Sequence, residues 1–274
     1  MYHSVSNDLE GSVAPYYRTC VSPSDFAEQM GYLKSLGYRG IKLSDGLAAL
    51  NGRPVSVAKS VVITFDDGFR NFWTTAVPIL HRHNFSATMF LPTAFIGETS
   101  RRFKDRDCLC WAEVCELHRC GVEFGSHTVT HRQLVNLNWN EIDRELDGSK
   151  AAIEDRVGDA VRSFSYPYAF PQANHDFVIR LGERLQAFGY ESCVTTQVGC
   201  VREHDNFFSL RRLPVNGCDD VRLLQAKIDG AYDWLGLFQA ASKQMKTFAS
   251  RTCHGLSRFA LLRRPGGGDS RMIL

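Results

Sequence analysis

The chain has 274 residues, which allows one large domain or two small ones at about 150 residues per domain. Apolar residues make up 44% of it and charged residues 23%, a composition that excludes a wholly disordered or fibrous protein. The 32 basic residues nearly balance the 30 acidic ones, so the charge gives no reason to expect a nucleic acid or a membrane surface as a partner.

The N-terminal segment lacks the basic patch and apolar run of a signal peptide. No window approaches the roughly 18 apolar residues of a membrane span. We therefore expect a cytoplasmic protein without a membrane span. Tyr2-His3-Ser4 resembles the end of a strand, which leaves open a true start upstream.

The nine cysteines show no standard zinc-binding pattern. We interpret them as free thiols in a reducing compartment. The alternative is a local metal or redox site in the one cluster that they form, which consists of Cys108, Cys110, Cys115 and Cys120.

Strands and helices alternate along the chain, which predicts an α/β protein with a mostly parallel sheet. The first helix begins at Ser22 and Pro23, because serine is a good N-cap and proline suits the first helical position. Residues 60–65 form a β-branched run short enough for a buried strand, and a helix over 71–83 follows, with a possible kink at Pro78. The later predicted elements are strands at 87–91, 122–124, 161–166, 192–196 and 208–215, and helices at 111–120, 138–157, 177–188 and 221–249.

This pattern gives about seven β/α units without a flexible linker between them. We therefore expect a single domain over residues 1–250, with its motifs within about 58–220. The basic segment 251–274 contains Pro265 followed by three glycines, and we expect a loosely ordered tail there.

Two adjacent carboxylates, Asp66 and Asp67, follow the predicted strand at 60–65. In parallel α/β folds the carboxyl end of a strand faces the active site. Two neighbouring carboxylates there are costly without a cation or a shared proton. Gly68 allows a turn that brings both side chains to one pocket. The alternative is a helix N-cap beside a solvated neighbour.

His127 and His131 also follow a predicted strand. On a helical turn, side chains four positions apart share one face and can chelate one ion. Taken alone, a pair of histidines at this spacing is weak evidence, because single core or surface histidines are common.

Together these residues predict a metal site. One carboxylate and two imidazoles at strand ends make a three-ligand centre with open positions for water and substrate, and the second carboxylate is free to act as a base. The segment 164–168 adds a third strand end, where a turn containing Pro167 can present a backbone N–H to a developing oxyanion.

With these motifs the sequence resembles the polysaccharide deacetylases, the family-4 carbohydrate esterases with a nodulation-type deacetylase domain. TFDDG at 64–68 matches their first motif and SHTVTH at 126–131 their second, both completely, whereas FSYPYA at 164–169 matches the third in part. The match covers roughly 60–215. The flanking segments MYHSVS and SLRRLPVNGCDD are similar to the subgroup associated with bacterial exopolysaccharide.

The resemblance implies a distorted (β/α)7 barrel that holds a divalent metal ion, most often Zn²⁺. It implies that Asp66 is the general base and that Asp67, His127 and His131 bind the metal. It also implies that the backbone N–H of Tyr168 contributes to an oxyanion hole. The substrate would be an N-acetylated glycan, from whose amino-sugar residues the enzyme hydrolyses N-acetyl groups.

The sequence departs from the family pattern at Ser165, where the third motif usually has an arginine that orients the base. Arg211 or Arg212 is our candidate replacement. Because adjacent residues on a strand point to opposite faces, at most one of the two can enter the barrel. The alternative is that both face solvent.

The family's late histidine, its general acid, is also missing. After Phe208 the sequence offers only His254, in the expected tail. His3, at the end of a possible first strand, is our tentative candidate for the acid, and a structural histidine is the alternative. Asp66 could also return its proton to the leaving amine, so activity does not require a separate acid.

Two other functions remain open. One is the same chemistry on a non-sugar amide or a formamide, and the other is a catalytically inactive carbohydrate-binding homologue. The complete motifs argue against inactivity, whereas the missing arginine argues for it. The aromatic residues Trp111, Tyr166 and Tyr168 could stack on sugar rings or pack in the core. Nothing in the sequence specifies an oligomeric state.

Overall fold

A computed structural model describes residues 1–8, 18–52, 59–233 and 271–272 of the chain. Its strands are β1 (Ser4–Val5), β2 (Cys20–Val21), β3 (Arg39–Ile41), β4 (Ser60–Val62), β5 (Thr64–Phe65), β6 (Thr88–Leu91), β7 (Arg102–Phe103), β8 (Arg106–Asp107), β9 (Glu123–Ser126), β10 (Ser163–Ser165), β11 (Ser192–Val198), β12 (Val201–Arg202), β13 (Leu210–Arg212) and β14 (Arg271–Met272). Its α-helices are α1 (Pro23–Ser35), α2 (Leu43–Leu50), α3 (Val77–Arg82), α4 (Trp111–Arg119), α5 (Trp139–Val157), α6 (His175–Ala187) and α7 (Val221–Ile228).

One parallel sheet organises the fold. Six strands pair in the order β5-β6-β9-β10-β11-β13, and every pairing among them is parallel. Helices α3, α4, α5 and α6 connect the successive strands from β5 to β11. The α/β class is confirmed, and the curled parallel sheet fits the expected (β/α)7 architecture.

The N-terminal residues lie between the two edges of this sheet. Tyr2 donates its N–H to the Thr64 carbonyl at 2.8 Å and accepts from the Asp66 N–H at 3.0 Å. On the other side, the Val215 N–H donates to the Met1 carbonyl at 2.9 Å. The segment therefore bridges β5 and the chain that follows β13, and it brings His3 close to the carboxyl end of β5.

Alternation along the strands separates two hydrophobic layers. In β6, Met89 and Leu91 belong to the large cluster that packs with the helices, whereas Phe90 points to the other side. There Phe90 packs in a smaller cluster with Leu43 of α2 and with side chains from four further strands. These partners are Val62, Val194, Val201 and Leu210. The enclosed face of the sheet is therefore filled with side chains and is not a pore.

Two predicted elements differ from the structure near the first motif. The predicted strand 60–65 is two strands, because β4 pairs with β3 while β5 pairs with β6 in the main sheet. The predicted helix 71–83 is a π-helical turn over Phe72–Ala76 followed by α3. Pro78 has no N–H to donate to the carbonyl four residues earlier, and it lies in the first turn of α3, where this loss is tolerated.

The C-terminal expectations are only partly covered. Helix α7 ends at Ile228, and Gly230 adopts a φ of +79°, which interrupts the predicted helix 221–249. The part of that predicted helix from residue 234 onward lies outside the described residues. In the expected tail 251–274, the structure describes Arg271 and Met272, which pair antiparallel with Val201 and Arg202. The rest of that tail, including His254, lies outside the described residues.

Eight cysteines lie in the described ranges, and none of them forms a disulfide. The four clustered cysteines do not form a metal-binding group within these ranges. Burial raises the pKa of both Cys108 and Cys193 to about 12, which keeps these thiols protonated. Among the described helices, none is long and apolar enough to cross a membrane.

The close approach of β9 to β6 gives a stability prediction. A Cβ added at Gly125 would lie 2.5 Å from the Phe90 ring and 2.7 Å from Ser163 Oγ, so Gly125→Ala should lower the free energy of unfolding by about 1–3 kcal/mol. Gly31→Ala, in the interior of α1, is the matched control. Its nearest neighbour would be His83 at 3.8 Å, so it should be neutral or stabilising by up to about 1 kcal/mol. Urea unfolding curves of both variants measure the difference, and equal effects would contradict this packing.

Candidate metal centre and active site

Asp66 and Asp67 leave the end of β5 in a tight turn. Asp67 has a φ of +75° and Gly68 a φ of +66°, so the backbone reverses before the chain continues. Left-handed backbone is uncommon for aspartate and is strained. The turn allows adjacent carboxylates, both 2% exposed, to reach different partners within one site.

Asp67, His127 and His131 converge. Their candidate ligand atoms all lie within 4.8 Å of one another, and all three residues are buried. Asp67 Oδ1 is 3.7 Å from His127 Nε2 and 3.1 Å from His131 Nε2. Within the described ranges this is the one group of three or more His, Cys, Asp or Glu residues placed to hold a metal.

The two histidines meet through a loop and not through the helical turn that we expected. Thr128 and His131 have φ values of +68° and +54°, which no α-helix allows. The His131 N–H donates to Thr128 Oγ1 at 2.9 Å. Glu145 of α5 holds the loop from outside by accepting the N–H groups of Val129 and Thr130, both at 2.8 Å. The loop thus turns both rings inward without a helix.

The hydrogen bonds of the cluster leave lone pairs that face each other. His127 Nδ1 lies 2.7 Å from the carbonyl oxygen of Ser165, which can only accept, so the ring proton sits on Nδ1 and Nε2 keeps its lone pair. That lone pair faces Asp67 Oδ1, a buried oxygen without a hydrogen-bond partner. His131 Nε2 lies 3.1 Å from the same oxygen. A cation between these acceptors would satisfy them, so the residues fit a divalent metal.

The protonation states fit the same conclusion. Burial lowers the pKa of His127 to about 4, so its imidazole is neutral at pH 7, as a metal ligand must be. Burial alone would raise the pKa of Asp67. The contact with His131 and the nearby charges, including the Lys104 ammonium, hold that pKa well below its usual range. The carboxylate is therefore charged.

Asp66 is held by Arg212, one of the two arginines that we proposed. Arg212 Nη1 lies 2.9 Å from Asp66 Oδ1 and Nη2 lies 2.7 Å from Oδ2, a two-pronged pair in which the arginine is fully buried. Ser165 takes part, because its hydroxyl lies 3.2 Å from Asp66 Oδ1 and 3.0 Å from Arg212 Nη2. The Thr195 carbonyl accepts from Arg212 Nε at 2.9 Å and fixes the guanidinium.

Arg211 points away, as strand alternation requires. It pairs with Asp205 at 2.8 Å and is partly exposed. The structure therefore selects Arg212 for the position near Asp66. Burial would raise the pKa of Asp66, but Arg212 and the other charged neighbours hold it well below its usual range.

Tyr168 lies at the rim of the site with its side chain 45% exposed. Its φ is +60°, and Thr196 Oγ1 donates to its carbonyl at 3.0 Å, which fixes the turn after Pro167. Among the described residues, none accepts a hydrogen bond from the Tyr168 N–H. Its ring packs against His131 at a centroid distance of 4.7 Å. The backbone N–H is thus available beside the candidate metal ligands.

His3 is half-buried within the electrostatic reach of both aspartates. Burial lowers its pKa, while Asp67 and Asp66 oppose that shift. Its ring makes no hydrogen bond to any described residue. Of the three aromatic residues considered for sugar stacking, Trp111 and Tyr166 are buried and pack in the core, which leaves Tyr168.

Sequence reasoning missed Lys104, whose Nζ lies 2.8 Å from Asp67 Oδ2. Lys104 and Asp105 both have positive φ values, +49° and +61°, and they form the tip of the β7–β8 hairpin. The sequence offers a weak signal for this turn, since Arg102 to Asp107 is a short polar stretch around a single Phe103. Nothing in it indicates that the tip returns to the aspartate pair.

Part of the chain is similar to known proteins. Residues 55–184 match the family model for polysaccharide deacetylases. A poly-β-1,6-N-acetyl-D-glucosamine N-deacetylase of Staphylococcus aureus is 31% identical over 134 residues, which cover 48% of this chain and 44% of that protein. This chain therefore spans less than half of that relative's length.

Solved structures share the fold. The Streptococcus pyogenes deacetylase PplD has a TM-score of 0.70 at 22% identity, over 82% of this chain and 95% of that one. IcaB from Ammonifex degensii has a TM-score of 0.64 at 22% identity, over 82% of this chain and 96% of that one. Residues 55–184 thus resemble the polysaccharide deacetylase domain, and the solved structures share its fold.

The Asp66–Arg212 pair gives a prediction about stability. Arg212→Met leaves a buried carboxylate without its partner, and we expect a loss of about 3–5 kcal/mol in the free energy of unfolding at neutral pH. Arg211→Met, the matched control, breaks a partly exposed pair and should cost no more than about 1 kcal/mol. Adding Asp66→Asn to Arg212→Met should restore part of the loss, because the uncompensated charge is gone.

The same pair fixes the sign of the pH dependence. Removing Arg212 raises the pKa of Asp66, so the variant carboxyl takes up a proton as the pH falls and the buried charge disappears. The stability deficit of Arg212→Met should therefore shrink as the pH falls below the raised pKa of Asp66 in the variant. Urea unfolding at a series of pH values measures this. A deficit that is constant with pH, or no recovery in the double variant, would contradict the role of the pair.

Proposed function

We propose that this chain hydrolyses N-acetyl groups from amino-sugar residues of a polysaccharide or oligosaccharide. In this proposal a divalent metal ion, Zn²⁺ in the first instance, is held by Asp67, His127 and His131. The observation that carries the proposal is that these three buried ligand atoms face one another next to a second, separately anchored carboxylate, Asp66. Asp67 can thus bind the metal while Asp66 accepts the proton.

Zinc suits the donor set, since two neutral imidazoles and one carboxylate are a common set of protein ligands at catalytic zinc sites. When bound, the metal would polarise the acetamide carbonyl and lower the pKa of water. His127 is held for this task by the Ser165 carbonyl, and His131 by the packing of Tyr168 against its ring. The ligands are therefore oriented before any ion arrives.

Asp66 is the base in this proposal. Arg212 and Ser165 hold its carboxylate in one orientation, so it can receive a proton from the attacking water without first reorganising. The depressed pKa keeps it ionised across the neutral range. The Tyr168 N–H would donate to the oxygen that becomes negative as the acetamide carbonyl is attacked.

The leaving amine needs a proton, and His3 is our candidate donor. Its ring lies within electrostatic reach of Asp66 and Asp67, and it makes no hydrogen bond to any described residue. Asp66 could return its own proton instead, in which case His3 has a structural role.

The sugar substrate is inferred from the relatives. The staphylococcal relative is named for N-deacetylation of poly-β-1,6-N-acetyl-D-glucosamine, which makes an N-acetylated exopolysaccharide the first substrate to test. The exposed Tyr168 ring beside the metal ligands offers a surface on which a sugar ring can stack. The proposed partner is therefore a carbohydrate. The cytoplasmic location that the sequence suggests stays a prediction.

The test of the function is an activity screen of the metal-loaded protein on acetylated glycans, with acetate release as the measurement. We expect release from N-acetylglucosamine oligomers, and Asp66→Asn should lower turnover at least about 100-fold while it keeps the metal and the fold. Near-normal turnover of Asp66→Asn would place the base elsewhere. Release only from simple amides or formamides would favour a non-sugar substrate, and binding to glycans without release would favour an inactive homologue.

A pair of histidine variants separates metal binding from proton transfer. His131→Ala should lose bound zinc without unfolding, because it removes one of three ligands from a buried cluster. His3→Ala should keep its zinc and lose turnover. Elemental analysis and circular dichroism are measured on the same samples. Retention of a full zinc equivalent by His131→Ala would refute the ligand assignment. Unchanged turnover of His3→Ala would refute His3 as the acid and would mean that Asp66 returns its proton to the leaving amine.

A further inference from the structure

The hairpin formed by β7 and β8 is fastened to the loop that carries the aspartates. The Arg70 N–H donates to the Asp107 carbonyl at 2.8 Å, and the Leu109 N–H donates to the Gly68 carbonyl at 2.9 Å. Gly68 directly follows Asp67 in the sequence, and Arg70 lies three residues after Asp67. The backbone therefore ties the position of the hairpin to that of the carboxylates.

Ring packing holds the tip of the hairpin against the metal ligands. Phe103 lies 4.1 Å from Phe95 and 5.0 Å from His131, measured between ring centroids. The Lys104 ammonium lies 4.8 Å from the centroid of Phe103 and 5.8 Å from that of Tyr168. The lysine is 40% exposed, so it reaches the site from the mouth and not from the core.

The two oxygens of Asp67 consequently have different surroundings. Oδ1 faces His127 Nε2 and His131 Nε2 and accepts no hydrogen bond. Oδ2 lies 2.8 Å from Lys104 Nζ. A charge-assisted bond of this length fixes the carboxylate, so that one oxygen is directed at the histidines and the other is turned away.

We propose that Lys104 is a positioning residue that restricts Asp67 to one-oxygen ligation of the metal and thereby keeps a coordination position open for water and substrate. This inference rests on the proposed function, because it takes the cluster of Asp67 and the two histidines to be a metal site. Lys104 touches neither the substrate nor the metal in this role. It acts through the carboxylate that it holds.

The proposal fixes the sign of the effect of removing the lysine. Without Lys104, Asp67 Oδ2 is free to approach the metal, and a positive charge near a divalent ion disappears. Both changes strengthen metal binding. The second oxygen also takes a position that water or substrate needs, so turnover falls. Removing a residue that merely stabilises the fold would have the opposite effect, since loosening the site weakens metal binding.

The experiment compares three variants of the full chain. Lys104→Met removes the charge and keeps most of the stem volume, Lys104→Arg keeps a cationic donor, and Arg102→Met removes an exposed charge from the same hairpin. The dissociation constant for Zn²⁺ is measured by competition with a chelator, together with turnover and the visible absorption of the cobalt-substituted protein, which reports coordination number.

We expect Lys104→Met to bind zinc about tenfold more tightly, with lower turnover and a weaker cobalt absorption from a higher coordination number. Lys104→Arg should stay near the parent protein, and Arg102→Met should match it. Weaker or unchanged zinc binding in Lys104→Met, or an unchanged cobalt spectrum, overturns the role of Lys104 while the metal site stands. Failure of the parent protein to bind zinc overturns the proposed function and this inference together.

Discussion

Two adjacent buried carboxylates at the end of β5 are the constraint on which the rest of this site depends. A buried carboxylate is costly unless a cation or several hydrogen bonds compensate it, and like charges side by side add to the cost. The fold compensates the charge of each aspartate with different partners. Asp66 receives the fully buried Arg212, whereas Asp67 receives Lys104 on one oxygen and faces the imidazoles of His127 and His131 with the other.

This division explains why the two aspartates can have different tasks. The fork of Arg212 engages both oxygens of Asp66, so that carboxylate is held rigidly and stays ionised. Asp67 keeps one oxygen free of hydrogen bonds, directed at His127 and His131. The left-handed backbone at Asp67 makes the separation possible, since it turns the second side chain away from the first. The strained backbone thus lies at the functional site.

Much of the architecture could be predicted from the sequence. Strand and helix alternation gave the α/β class, and the positions of Asp66, Asp67, His127 and His131 after predicted strands placed them at one end of a parallel sheet. Period-two alternation also predicted that Arg211 and Arg212 diverge, as they do. These inferences hold because they depend on short-range periodicity and on the geometry of parallel strands.

Other features depend on tertiary contacts that no local pattern reveals. The histidine pair sits on a loop with two left-handed residues, which Glu145 of α5 stabilises from a distant part of the chain. Residues 60–65 divide between two sheets because 60–62 pair with β3, outside the main sheet. Lys104 reaches Asp67 only because a hairpin folds back over the loop that follows β5.

In the proposed function, the cluster of Asp67, His127 and His131 holds the one metal ion that deacetylation requires. The most direct measurement is a titration of Zn²⁺ into chelator-treated protein, with acetate release from an N-acetylglucosamine oligomer followed at each step. We expect no release from the metal-free protein and a rise in release that saturates at about one ion per chain. Full release without metal, or one tightly bound ion without any release, would contradict the proposed function.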